Sequence, residues 1–181
     1  MQTDRKAYDP SQHDLYRALV VRQPLADRLT RTSWRDADGA YHAEVSLVCR
    51  LKDTRYRGDV LVCSSSRPAV PGHESAVTCG LVELYATKPV GELTEEDWAE
   101  TGITEALRPR KGYGWFFRNP RRVVEMPMDG MGGFRDIALP KDDITEYPRI
   151  VMLGEDGHRM ACGQGLLRSI EIEMERLKVF L

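Results

Sequence analysis

The sequence predicts an α+β fold, in which short strands are accompanied by two or three flanking helices and a C-terminal extension. Three observations favour this fold. Apolar residues alternate or cluster over about four to eight positions, which is typical of strands. Turn-forming pairs such as Asp38-Gly39 and Asn119-Pro120 separate these stretches. Hydrophobic residues make up 41% of the 181-residue chain, which is enough for a globular core.

The first strand and the first helix are predicted near the N-terminus. Residues 1–14 are polar throughout and are interpreted as a leader. Residues 15–21 are rich in apolar side chains and indicate a strand. Pro24 suits the first position of a helix, and apolar residues within 25–29 then share one helical face.

The central part of the chain predicts several further strands and one more helix. The predicted β segments cover residues 45–49, 60–63, 79–86, 115–117 and 123–124. Asn119-Pro120 is expected to interrupt the last two of these segments. Thr94 is followed by three acidic residues, which resembles a capping box, and Gly102 is expected to end this short helix. The glycine-dense segment 126–134 is typical of a loop.

The C-terminal residues 138–181 are interpreted as an extension packed on the preceding domain, because no Pro/Ser/Gly-rich linker separates the two. Residues 150–162 fit a hairpin. Residues 165–181 fit both strand alternation and a helical stripe, and their Glu, Arg, Leu and Met content favours the helix.

Composition excludes several classes of protein. The net charge is -2, so nucleic-acid binding would need a local basic face. No apolar run approaches the ~18 residues of a membrane helix, so no membrane association is expected. The four cysteines (Cys49, Cys63, Cys79 and Cys162) are scattered and form no metal-ligand spacing with the histidines. We therefore expect reduced thiols in a cytoplasmic protein, with no metal and no cofactor.

The order of six short motifs resembles the ASCH domain of the PUA-like superfamily, over residues 15–137. The motifs are Gln23-Pro24-Leu25-Ala26 after the first strand, Tyr56-Arg57-Gly58-Asp59 before the next, Gly80 to Leu84, Val90 to Trp98, Gly112 to Phe117, and Asn119 with Pro127 to Gly130. The resemblance implies a small β-barrel with a cleft for a nucleotide or base, generally associated with RNA binding. Some similar proteins hydrolyse N4-acylated cytidine with a lysine, a threonine and a glutamate, and others have been proposed as ribonucleases.

The G-x-K-x-x-E-x-R signature of that family is degenerate in this chain. Its best placement is residues 39–46, where Gly39 and Glu44 match, while Tyr41 replaces the lysine and Ser46 the arginine. A rival placement at residues 52–55 keeps a lysine, a threonine and an arginine but loses the glycine and the glutamate. No catalytic residue is assigned, because the lysine is missing from the better placement.

Two groups of residues are candidates for ligand binding. Barrel ligands enter where strands end, so one mouth is expected to collect polar and aromatic side chains. This predicted ligand site comprises Arg22, Gln23, Tyr41, Glu44, Ser64 and Trp115. The basic stretches 50–67 and 108–122 supply candidate phosphate ligands. These are Arg57, Arg67, Lys111, Arg118, Arg121 and Arg122.

Some of these assignments have plain structural alternatives. Trp115 is either a core residue or a platform for base stacking. Glu44 either accepts a hydrogen bond from a base amine or is an ordinary surface acid. The leading hypothesis is a module that binds RNA, another single-stranded nucleic acid or a nucleotide. The alternatives are a small amidohydrolase or nuclease acting on nucleosides or RNA, and a protein–protein adaptor that uses the C-terminal extension.

Overall fold

The computed structural model describes residues 9–128 and 132–147. Eight strands lie within these residues: β1 (His13–Val21), β2 (Thr32–Arg35), β3 (Tyr41–Ala43), β4 (Leu47–Arg50), β5 (Gly58–Ser64), β6 (Thr78–Pro89), β7 (Tyr113–Arg122) and β8 (Phe134–Pro140). The same residues hold two α-helices, α1 (Leu25–Thr30) and α2 (Glu95–Ala99), and 3-10 turns at Val90–Glu92 and Glu105–Leu107. The predicted α+β class is confirmed.

Six of the strands form one sheet in the order β4-β7-β6-β5-β1-β8, and β2 pairs with β3 in a separate ribbon. Strands β1 and β5 are parallel, and the other neighbours in the large sheet are antiparallel. Trp115 on β7 and Phe134 on β8 have ring centroids 4.9 Å apart. In a flat sheet these strands would lie roughly 19 Å apart, at about 4.8 Å per strand. The sheet is therefore curled into a half-barrel.

Side chains from both faces of this sheet are buried. Alternate residues of a strand point to opposite faces, so Val60 and Val62 join an inner cluster while Leu61 and Cys63 join an outer one. The inner cluster comprises Leu19, Val21, Ala26, Leu29, Val48, Val60, Val62, Cys79, Val82, Leu84, Trp115 and Phe117. Covering on both faces explains why β5 is a continuous apolar run rather than an alternating one.

Several predicted elements are confirmed. The strands expected at 15–21, 60–63 and 79–86 correspond to β1, β5 and β6. Helix α1 directly follows Pro24. The capping box is present at α2, where the Thr94 hydroxyl accepts from the Asp97 N–H and the Asp97 carboxylate accepts from the Thr94 N–H.

Other predictions differ from the structure. Strand β7 runs through Asn119-Pro120 instead of breaking there, because Asn119 adopts a positive φ of 54° and the β6–β7 register shifts along the pair. The segment expected as one strand at 45–49 begins only at Leu47, and a separate short strand, β3, precedes it. Strand β8 has no counterpart among the predicted elements. The predictions for residues 150–162 and 165–181 lie outside the described residues.

The sheet has two chemically different ends. At one of them β4, β6 and β8 end and β1, β5 and β7 begin. Residues 50–57 and 108–113 lie there, and we call it the basic end. At the other, β1, β5 and β7 end, and residues 21–31 and 64–78 meet. We call it the Asp27 end.

Candidate nucleic-acid interface

A basic segment crosses one end of the half-barrel. Residues 50–57 contain four basic residues and one acid, Asp53. The segment leaves β4 at Arg50 and enters β5 at Gly58. Because β7 and β6 lie between β4 and β5 in the sheet, this connection must pass over the ends of both strands. Its cations are thereby concentrated on one side of the molecule.

A second basic segment lies directly beside the first. Residues 108–112 carry three basic residues and no acid. Arg50 pairs with Tyr113 in the β4–β7 ladder, so the two segments meet where β4 ends and β7 begins. Gly112 has a φ of 116°, and a Cβ at this position would clash with the Arg50 carbonyl oxygen. A glycine is therefore required for the close approach of the two segments.

Trp115 anchors the first basic segment from inside the barrel. Its side chain is 3% exposed, and its indole N–H donates a hydrogen bond to the Lys52 carbonyl oxygen at 3.1 Å. The Arg50 guanidinium lies 6.0 Å from the centroid of the same ring. A ring so enclosed cannot stack on a base in this conformation. Its position instead indicates that Trp115 holds Arg50 and Lys52 in place.

Five cations at the basic end have neither a carboxylate partner nor a side-chain hydrogen bond among residues 9–128 and 132–147. They are Arg50, Lys52, Arg55, Arg110 and Lys111. Arg50 differs from the other four because it is half-buried, and this burial lowers the pKa of its guanidinium. A partly desolvated cation without a counter-charge is costly, so an anion bound beside it would be favourable.

Arg57 and Arg67, two predicted phosphate ligands, occupy different surroundings. Arg57 donates to the Thr54 and Tyr56 carbonyl oxygens at 2.9 and 2.7 Å and to the Thr87 hydroxyl at 3.1 Å. It therefore stiffens the basic segment and adds charge beside the five cations. Arg67 is exposed at the Asp27 end, so it does not join this group.

The other predicted arginine ligands are engaged in ion pairs. Arg118 binds Glu83 at 2.5 Å, and Arg121 binds Asp59 at 2.5 Å. Arg122 binds Asp27 at 2.8 Å and also pairs with Glu125. Of the phosphate ligands predicted within residues 108–122, Lys111 alone remains in the unpaired group, although the sequence suggests an acid-free basic face. Apart from Glu125, these acids lie on other strands of the sheet or on α1, far away in sequence.

A buried carboxylate organises the Asp27 end. The Asp27 side chain is 3% exposed. Its oxygens accept from Arg122 Nη1 at 2.8 Å, His73 Nδ1 at 2.6 Å and Arg31 Nη2 at 3.4 Å. Burial alone would raise the pKa of Asp27, but the His73 hydrogen bond and the two guanidinium charges outweigh it and hold that pKa below its ordinary value. The network is internally satisfied and ties the segment 65–77 to α1.

Gln23 and Ser64 do lie close together, as predicted, at this same end. Val21, two residues before Gln23, is the Cα partner of Ser64 in the parallel β1–β5 pair. Both side chains are buried and already hydrogen-bonded. Gln23 Nε2 donates to the Glu74 carbonyl oxygen at 2.8 Å, and Ser64 Oγ accepts from the Val77 N–H at 3.1 Å. In this conformation both hold the segment 65–77.

The remaining predicted ligand residues have other neighbours. Arg22 is exposed beside Gln23. Glu44 accepts from Arg28 Nε at 2.8 Å, and the Tyr41 ring lies 5.4 Å from the Arg35 guanidinium on the β2–β3 ribbon. Trp115 is near the start of β7, and its ring packs against Phe134, which pairs with Leu19 on β1; it shares the inner cluster with Val21. Ligand binding by these residues stays a prediction.

The sequence contains a usable signal for the basic end. Arg50, Lys52 and Arg55 lie within one of the two stretches identified as basic, and Arg110 lies within the other. What the sequence does not show is the β4–β7 pairing that joins the two stretches, or the ion pairs that remove Arg118 and its neighbours.

Within the described part of the chain, no helix is long and apolar enough to cross a bilayer, and no group of three or more His, Cys, Asp or Glu side chains is placed to hold a metal ion. In comparisons with known proteins, no family model and no curated sequence matches this chain.

Proposed function

We propose that this protein binds single-stranded nucleic acid, RNA in particular, through the basic end of an ASCH-like, PUA-like half-barrel. The observation that carries the proposal is the group of five cations without carboxylate partners or side-chain hydrogen bonds, of which Arg50 is half-buried. The curled sheet and the order of motifs along the chain support the family resemblance. An intracellular, cytoplasmic location accords with an RNA ligand.

Phosphate recognition explains why cations of this kind are left unpaired. Phosphates of a flexible strand can settle against several lysines and arginines at once, and each contact releases a condensed counterion. The five cations come from two segments that are fixed to one another by the β4–β7 pairing and by the Trp115 hydrogen bond. Binding therefore requires little ordering of the protein, which lowers its entropic cost.

The test is the salt dependence of binding to a short fluorescent single-stranded RNA, followed by anisotropy. The test variant replaces Arg50, Lys52 and Lys111 with glutamine. Each phosphate that the protein no longer neutralises reduces the steepness of the log–log salt plot by about 0.7, so the triple variant is expected to flatten it by about 2.

A matched control separates the effect of where the cations lie from the effect of the net charge of the protein. Arg22, Arg67 and Arg135 are exposed, form no ion pair within the described residues and lie outside the basic end. Replacing all three with glutamine changes the net charge equally and should leave the slope close to that of the wild type. Equal flattening by both triple variants would show that net charge, and not the basic end, governs binding. Absence of any RNA binding by the folded wild type at low salt would refute the proposed function itself.

A further inference from the structure

The basic end presents an unusually exposed apolar side chain. Leu51 is 85% exposed and lies in the chain between Arg50 and Lys52. Among the large hydrophobic side chains that the structure describes, none is more exposed. A single exposed leucine is common on protein surfaces, so its position decides whether it has a role.

The backbone on both sides of Leu51 is fixed. The Lys52 carbonyl oxygen accepts from the Trp115 indole N–H, and the Arg50 carbonyl packs against Gly112. The Leu51 Cα itself would lie 3.4 Å from a Cβ placed on Gly112. The side chain therefore extends from an anchored segment, flanked by two cations whose charges are not neutralised by described carboxylates.

We propose that Leu51 packs against the face of an unstacked base while Arg50 and Lys52 hold the flanking phosphates, so that this site selects single strands over duplexes. The inference rests on the proposed function and deepens it. Base faces are accessible in single strands, where apolar and aromatic side chains can cover them, but they are hidden inside a stacked duplex. A purely electrostatic site would bind both forms, because both carry phosphates.

The decisive comparison uses a strand with bases and one without. The wild type and Leu51→Ala are titrated with an oligothymidylate, with an abasic strand of the same length and backbone, and with a duplex of equal length. The wild type is expected to bind the oligothymidylate roughly five- to tenfold more tightly than the abasic strand. Leu51→Ala is expected to remove that preference and to bind the abasic strand as the wild type does.

Leu107 provides the matched control. It is 74% exposed and precedes Arg108, whose guanidinium is bound by both carboxylate oxygens of Glu95 at 2.7 Å. Leu107→Ala removes a comparable exposed leucine without touching a residue between unpaired cations, so the preference for bases should persist. Loss of the preference in both variants would overturn the assignment to Leu51.

The remaining outcomes are also distinguishable. Equal affinity of the wild type for all three probes would overturn the inference and leave the proposed function standing, since phosphate contacts would then suffice. No binding to any probe at low salt would refute both. Leucines between cations also suit anionic bilayers, so vesicles of mixed phosphatidylcholine and phosphatidylserine form a further arm. Leu51-dependent vesicle binding without a preference for bases would overturn the inference in favour of a membrane ligand.

Discussion

Asp27 shows how much one side chain contributes at the residue scale. Of the acidic side chains in the described residues, it is the one that is buried, and it holds two arginines and a histidine. Removing one partner of such a network leaves the others charged and desolvated, which costs far more than the net worth of the pairs.

Asp27→Asn is therefore expected to lower the free energy of unfolding by about 3–5 kcal/mol, because Arg122 would keep its buried charge with one counter-charge fewer. Urea denaturation measures the change. Asp136→Asn is the control, since Asp136 pairs with Arg17 at 2.7 Å on the exposed surface. That variant should lose less than about 1 kcal/mol. Similar losses in both variants would contradict the central role of Asp27.

The same carboxylate gives stability a pH dependence. Because the pKa of Asp27 is lower in the folded protein, its contribution is present above the unfolded value of about 4 and is lost as the pH falls through the folded pKa. Unfolding free energies measured below about pH 4 should therefore fall less steeply in Asp27→Asn than in the wild type. Parallel pH profiles would show that other carboxylates govern acid unfolding.

Residue roles are the least predictable part of the site. Trp115 fits both a core and a stacking role by its position in an apolar run, and only the hydrogen bond to Lys52, 63 positions away, decides between them. Arg118 and Arg121 look free in the sequence because Glu83 and Asp59, the acids that bind them, are 35 and 62 positions distant. Strand pairing brings such partners together, and no local pattern records it.

At the scale of elements, Gly112 determines how the two basic segments meet. Its φ of 116° is unfavourable for any other residue, and a Cβ would press on the Arg50 backbone, which cannot rotate away as a side chain can. The contact therefore fixes the end of β4 against the beginning of β7.

Elements with strong local signals, such as the capping box at Thr94 and the apolar run of β5, are predicted correctly because their determinants are neighbours in sequence. Gly112 and Arg50, in contrast, are far apart in sequence, so no local pattern predicts their contact.

Gly112→Ala is expected to cost about 2 kcal/mol of unfolding free energy through backbone strain, and to weaken RNA binding by displacing Arg50. Gly91→Ala is the control, because a Cβ at Gly91 meets no atom within 4 Å and its backbone needs no positive φ. Denaturation and anisotropy should show both losses in the first variant and neither in the second. A stable Gly112→Ala protein with unchanged RNA affinity would mean that the two segments need not be held together.

At the scale of the whole molecule, the curl of the sheet depends on a strand that the sequence does not reveal. Strand β8 alternates partly buried and exposed residues, ends in a proline and follows a glycine-rich stretch, so its pattern resembles a loop. It forms because β1 offers an open edge, with which it pairs from His13↔Pro140 to Leu19↔Phe134. The α+β class follows from composition and periodicity, whereas the curl of the half-barrel depends on this edge pairing and on aromatic contacts across the interior, of which the shortest joins Phe134 to Trp115.

Phe134 makes that contact and is the place to test closure. Its ring packs edge-on against Trp115, with centroids 4.9 Å apart, and against Tyr56 at 5.9 Å. Phe134→Ala should lower the unfolding free energy by about 2–3 kcal/mol. This is somewhat less than the ~3–5 kcal/mol lost when a fully buried phenylalanine is replaced by alanine, because Phe134 is only partly buried.

Arg135→Ala is the control. It changes the adjacent, exposed position on β8 and should stay within about 0.5 kcal/mol of the wild type in the same urea titration. Since Trp115 also anchors Lys52, loosening this contact should reduce RNA affinity in Phe134→Ala and not in Arg135→Ala. Equal denaturation midpoints for the two variants would show that the half-barrel is held by its strand pairing alone.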